Sequence, residues 1–100
     1  MSYVILPSKR FQKVAKKYVQ SGRKRILEAA AEAIDLLALH DDRSLFMLGT
    51  RWRDHELKGN RQGIRELHLN QDELLLYSID EDLKIIKLLD IMNHEELRRQ

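Results

Sequence analysis

A chain of 100 residues, 43% hydrophobic and 34% charged, can bury one core under a charged surface, which excludes a disordered tail and points to one domain spanning residues 1–100. It contains no cysteine, so disulfides and thiolate metal sites are excluded, and a reducing, cytoplasmic home is the simpler expectation. The net charge of +2 hides a segregation: Met1 to Leu27 holds eight Lys or Arg and no acid, whereas Asn70 to Gln100 is net acidic, a split that suits a polyanion or an acidic partner.

Tyr3 to Leu6 is a short run of strand formers ended by Pro7, which cannot donate to a ladder. Ser8 is placed to cap a helix whose buried stripe is Phe11, Val14, Ala15 and Tyr18, and Gly22 stops it. Ile26, Leu27, Ala30, Ile34, Leu37 and Ala38 keep the same period in a second helix ending near His40, Asp41 and Asp42, so the two form an αα-hairpin. Arg23, Lys24 and Arg25 open that second helix, where its dipole disfavours cations; they either cap the preceding helix end or meet something negative. Ser44 to Arg53 lacks a clean period and reads as a last helical turn or a buried loop.

From His55 the period shortens. Leu67 and Leu69 alternate with Glu66 and His68, the pattern of a strand with one packed and one open face. Asn70, Gln71 and Asp72 turn the chain. Leu74 to Ile79 and Leu83 to Met92 are apolar on both parities, as central strands are, with Asp80-Glu81-Asp82 of hairpin length between them. The expected fold is α+β: an N-terminal strand and an αα-hairpin packed on one face of a small, mainly antiparallel sheet. If Leu67 and Leu69 face the helices, Glu66 and His68 face away, and unbroken parity puts His94 on the face of Ile86, Leu88 and Met92. No run approaches the ~18 apolar residues of a membrane span, and Met-Ser-Tyr-Val-Ile-Leu-Pro places no basic region ahead of a long apolar one.

Three of the four histidines, His55, His68 and His94, therefore converge with Asp72 and several cations. Cleavage of RNA by its own 2′-hydroxyl needs a base for that proton, an acid for the departing 5′-oxygen and cations for the phosphate. Histidine, with an ordinary pKa of ~6.5, supplies both proton roles near neutrality and no metal is required. The spacing contains no His-Glu-x-x-His and no close histidine pair on a helix turn, so a zinc site is not expected. A nucleophile elbow and a phosphate-cradling glycine loop are also missing. Taken singly, each histidine is an ordinary hydrogen-bonder, Asp72 an ordinary turn former and Glu66 a cross-strand ion-pair partner. Lys58 and Arg61 are placed to meet substrate ahead of Arg65, which shares the parity of Leu67 and Leu69. Trp52 fits the core edge better than a base-stacking role.

In Asp54-His55-Glu56-Leu57-Lys58-Gly59, Gly63-Ile64-Arg65-Glu66-Leu67-His68, Asp72, Leu75-Leu76-Tyr77 and the late His94, the chain resembles the YafQ branch of the RelE-like toxins of bacterial type II toxin-antitoxin systems. The resemblance implies a RelE/ParE-like fold and a ribosome-dependent, metal-independent mRNA endoribonuclease with no cofactor, neutralised by a cognate antitoxin. Operator DNA would be bound only through that antitoxin. It further implies that His94 is the principal general acid, that His55, His68 and Asp72 serve proton transfer or substrate placement, and that Glu66 is a further acidic member; the base is left open. Glu73 and Leu97-Arg98 stand where the family often has aromatics, leaving Arg98 to hold a base or phosphate, and Asn60-Arg61 replaces a tryptophan common in the family's loop. The rival from another class is a fold relative that inhibits DNA gyrase by binding, which has no use for three histidines on one face. A second rival is a non-catalytic protein that binds RNA or sequesters an antitoxin, against which the modest net charge counts.

Overall fold

A computed structural model of the chain describes residues 2–59 and 63–99. Strand β1 (Val4–Pro7) ends at the proline, and the Ser8 hydroxyl then accepts from Phe11 N at 3.0 Å to start helix α1 (Lys9–Gln20). Helix α1 closes in a Schellman motif: Gly22, at φ +74°, donates to Val19 O and Arg23 donates to Tyr18 O. This sets Arg23 beside Tyr18 at the start of helix α2 (Lys24–Leu39), which ends on His40 in the left-handed region.

The stretch without a clear period becomes a third helix, α3 (Asp42–Thr50), because Asp41 accepts from Ser44 N at 2.8 Å and starts a new helix where the αα-hairpin was expected to end. Strands β2 (His55–Glu56), β3 (Arg65–His68), β4 (Glu73–Asp80) and β5 (Ile85–Asn93) follow, and a short helix α4 (His94–Arg98) closes the described chain. The sheet order is β1-β5-β4-β3-β2, antiparallel from β5 to β2, with edge strand β1 parallel to β5. The fold is α+β with the helices on one face of a mainly antiparallel sheet.

Phe11, Ile26, Ala30, Leu37 and Leu48 of the helices meet Leu67, Leu75, Tyr77, Ile86 and Leu88 of the sheet in one core. The other face carries a smaller cluster of Leu74, Leu76 and Met92, covered in part by Leu57, Ile64 and Leu97. A bulge in β5 breaks the parity count for His94. Leu76 pairs with Asp90 but Tyr77 pairs with Leu88, so Ile86 and Leu88 lie in the helix-side core while Met92 lies on the opposite face. His94 reaches the site as the first residue of α4 and not as a strand residue.

Candidate active site

Each histidine is delivered by a different device. Pairing of β2 with β3 sets His55 opposite Glu66, and His68 ends β3 with its N–H donating to Trp52 O at 2.8 Å. His94 is positioned by Asn93, whose side chain accepts from Glu96 N at 2.8 Å while Glu96 Oε1 accepts from Asn93 N at 3.1 Å. This reciprocal cap turns strand into helix at that residue. Leu97, one turn on, packs against the small outer cluster and holds α4 down on the sheet.

His68 stands in the middle, its ring 5.9 Å from that of His55 and 5.6 Å from that of His94. His55 Nδ1 lies 2.8 Å from Arg53 O, and Nε2 lies 2.7 Å from Glu66 Oε1. The carbonyl can only accept, so that contact calls for the proton on Nδ1, and the contact with the carboxylate is an ion pair when the ring carries both protons. Glu66 is buried, with its other oxygen lacking a partner among the described residues. His94 Nδ1 lies 3.7 Å from Asp72 Oδ1 near the surface, an ion-pair contact when the ring is protonated. The pKa of His68 is lowered by burial and then by the Arg53 cation, with Glu66 opposing, and its Nδ1 is buried without a partner among the described residues. The site therefore joins a histidine kept neutral at pH 7 to two histidines that each face a carboxylate.

The cations divide. Lys58 and Arg98 are exposed and have no ion pair among the described residues. Arg61 lies outside the described residues. Arg65, expected to contact substrate, is turned the other way: its Nε lies 3.3 Å from both Asp54 Oδ1 and the Tyr77 hydroxyl, because it shares the parity of Leu67 and faces the helices. Trp52 is buried in the core.

Three contributors escaped the sequence reading. The Asn93-x-x-Glu96 pattern is a capping-box signature visible in the sequence, hidden by the apolar strand that runs into it. Arg53 carries a left-handed φ of 50° beside His68, and nothing in its residue type announces that. Glu73, next to Asp72, is buried on the helix side, where it accepts from the Tyr18 hydroxyl at 2.9 Å and pairs with Arg23. Of the basic trio at the start of α2, Arg23 is thus committed to an internal carboxylate.

Among the described residues, no group of three or more His, Asp or Glu side chains is arranged to hold a metal ion. No described helix is long and apolar enough to cross a membrane.

Comparison with known proteins places the chain. No curated protein matches it in sequence. Among solved structures, a metal-bound toxin from Helicobacter pylori is 32% identical, with 95% of this chain and 98% of that one covered and a TM-score of 0.78. YafQ from E. coli strain BL21(DE3), at 21% identity and a TM-score of 0.75, covers 95% of this chain and 97% of its own. YafQ in the E. coli DinJ-YafQ toxin-antitoxin complex, at 22% identity and a TM-score of 0.74, covers 97% and 98%. The family profile described as the bacterial toxin of type II toxin-antitoxin system, YafQ, matches residues 3–99. The chain therefore belongs to the YafQ family of RelE-like type II toxins.

Proposed function

We propose that the chain is an endoribonuclease that enters the translating ribosome, cuts mRNA without a metal, and is held inactive by a cognate antitoxin. The observation that carries this reading is the run of three imidazoles at 5.9 and 5.6 Å, with Glu66 behind His55 and Asp72 beside His94. In this reading His68, neutral because burial and Arg53 oppose its charge, takes the proton of the 2′-hydroxyl. The freed oxygen attacks phosphorus and the bond to the 5′-oxygen breaks, leaving a cyclic phosphate. His94, beside Asp72, gives its proton to that departing oxygen. His55, set against Glu66, faces the phosphoryl oxygens, and the cations Lys58 and Arg98, with Arg61 outside the described residues, are further candidates to meet the phosphate. The pairing of E. coli YafQ with DinJ supports an antitoxin for this chain too, and its basic first third suits ribosomal RNA or an acidic antitoxin segment. A gyrase inhibitor acting by binding would make no use of this arrangement.

The test is to add the purified protein to translating ribosomes and map mRNA 5′ ends, with His94→Ala and a chelator in parallel. New 5′ ends with the wild type, far fewer with His94→Ala and no change with chelator are expected. Intact message with the wild type sinks the reading. Chelator sensitivity would instead bring in a metal, a pointed control given the metal-bound Helicobacter pylori toxin.

A further inference from the structure

One opening among the described residues is not centred on the three histidines. A cleft of about 590 Å³ runs between α2 and the segments 51–53 and 68–71, and it touches the site only at His68. Its α2 wall is a single helical stripe, Arg25, Glu28, Ala29 and Glu32, with the small Ala29 leaving the space between the charged side chains. Arg51 and Arg53 face this stripe from the other side.

The charges in the cleft are unspent. Arg25 and Glu28 stand three apart on one helix, yet among the described residues no ion pair joins Arg25, Glu28, Glu32, Arg51 or Arg53 to any partner. These groups are therefore open to a partner from outside the chain. Arg51 is held over the Trp52 ring, 5.7 Å from its centroid, and a guanidinium plane is a surface on which RNA bases stack. Arg53 holds a left-handed φ that its side chain disfavours, and such outliers gather where a ligand is held. Where the wall meets His68, two buried nitrogens, Trp52 Nε1 and His68 Nδ1, have no hydrogen-bond partner among the described residues, and Trp52 is only 5% exposed. Arg25 adds a cation at the start of α2, a helix with no side-chain cap, where an anion would be favoured.

A mixed lining of this kind does not suit a bare phosphate, which two carboxylates would repel. It suits a nucleotide, whose phosphate takes the guanidiniums and whose base offers donors to the carboxylates. Guanine presents N1–H and the N2 amino group side by side, which one carboxylate accepts together, whereas uracil sets its single N–H between two carbonyl oxygens that a carboxylate repels. We propose that this cleft is a nucleotide-binding subsite that selects guanine, seating a residue of the RNA strand next to the one cut at the histidines. Its place on the strand rests on the nuclease reading; the binding itself is measured without cleavage.

The chain's single tryptophan gives one indole signal in the NMR spectrum of the ¹⁵N-labelled protein, and it lies on the cleft wall. Guanosine 5′-monophosphate is expected to move that signal and the amides of Arg53 and Asn70 saturably. Uridine 5′-monophosphate should bind about tenfold to a hundredfold more weakly, the usual weight of a bidentate base contact, with inosine 5′-monophosphate, which lacks the N2 amino group, in between. Glu28→Gln with Glu32→Gln should erase the difference between guanine and uracil, and Arg53→Ala should weaken both. The shifts should survive His94→Ala. No saturable shift, or equal binding of guanine and uracil to the wild type, overturns the proposal. So does a response to an acidic peptide alone, which would make the cleft a protein-docking site. Guanine binding without mRNA cleavage would remove the nuclease reading and leave the subsite standing; cleavage without guanine binding would do the reverse.

Discussion

Glu66 Oε1 lies 2.7 Å from His55 Nε2, while the second oxygen of the same buried carboxylate has no partner among the described residues. A carboxylate in a core normally completes its hydrogen bonds, and this one leaves an oxygen uncommitted while it faces His55 and acts on His68. It opposes burial, the Arg53 cation and the neighbouring histidines, which together disfavour charge on His68.

The first prediction follows for the pH dependence of cleavage. With His68 as the base, the acid limb of kcat/KM should lie below the ordinary imidazole value of ~6.5, because the folded protein disfavours its charged form. Removing the negative charge with Glu66→Gln should push that limb to still lower pH, since Glu66 is the group holding the His68 pKa up. His68→Ala should cost ~100- to 10,000-fold in rate and abolish the limb. A limb at or above the ordinary value, or one that moves upward in Glu66→Gln, would take the base role away from His68.

The same displacement ties stability to pH. The unfolded chain protonates His68 near ~6.5 and the folded chain only at lower pH, so between those values the unfolded state binds more protons. The contribution of His68 to stability is therefore whole above ~6.5 and is lost as the pH falls through its folded value. Urea unfolding of wild type and His68→Gln across that range should show a smaller loss on acidification in the variant. Parallel curves would mean that His68 titrates alike in both states.

How far the sequence could be read depends on whether a signal is local. The α1 and α2 stripes, the Ser8 cap and the strand alternation around Leu67 are each carried by a few neighbouring residues, and the observed elements follow them. The presence of His55, Glu66, His68, Asp72 and His94 at one place was legible from strand parity and the family likeness. The route taken by His94 was not, because a bulge inverts parity at Leu88 and Leu89 and no residue type there requires one. Arg65 had the parity of the core, and its partners, Asp54 and Tyr77, come from other segments. The position of Glu73 was hidden for the same reason: Tyr18 and Arg23 are more than forty residues away, and only the folded chain makes them neighbours.

That Glu73 contact yields the third prediction. Glu73→Ala strands the Tyr18 hydroxyl and frees Arg23 to water, at a cost of about 1–3 kcal/mol, while Tyr18→Phe leaves the carboxylate its arginine and costs about 0.5–1.5 kcal/mol. Burial and then the Glu73 hydrogen bond push the Tyr18 pKa up to about 12. Its contribution is therefore whole below the ordinary value of ~10 and lost as pH rises through about 12. Spectrophotometric titration of tyrosinate should show Tyr18 ionising late in the wild type and earlier in Glu73→Ala. A titration unchanged by the substitution would mean that this contact is not formed in solution.

The fourth prediction separates position from chemistry at His94. Helix α4 has only five residues and is held at its start by the Asn93 and Glu96 exchange and at its end by Leu97 on the outer apolar cluster. A helix this short does not persist by propensity, so the cap decides whether His94 faces Asp72. Asn93→Ala should cost about 0.5–2 kcal/mol, felt as local opening of α4 and not as global unfolding, because β5 before it is held by β1 and β4. Amide exchange should quicken at Leu97 and Arg98 and stay slow at Leu75 and Tyr77. If His94 is the acid, kcat should fall with KM little changed, and Asn93→Asp or Asn93→Ser, which restore a capping oxygen, should recover much of it. Loss of activity that neither capping residue rescues would mean that Asn93 acts on the substrate directly and not by placing its neighbour.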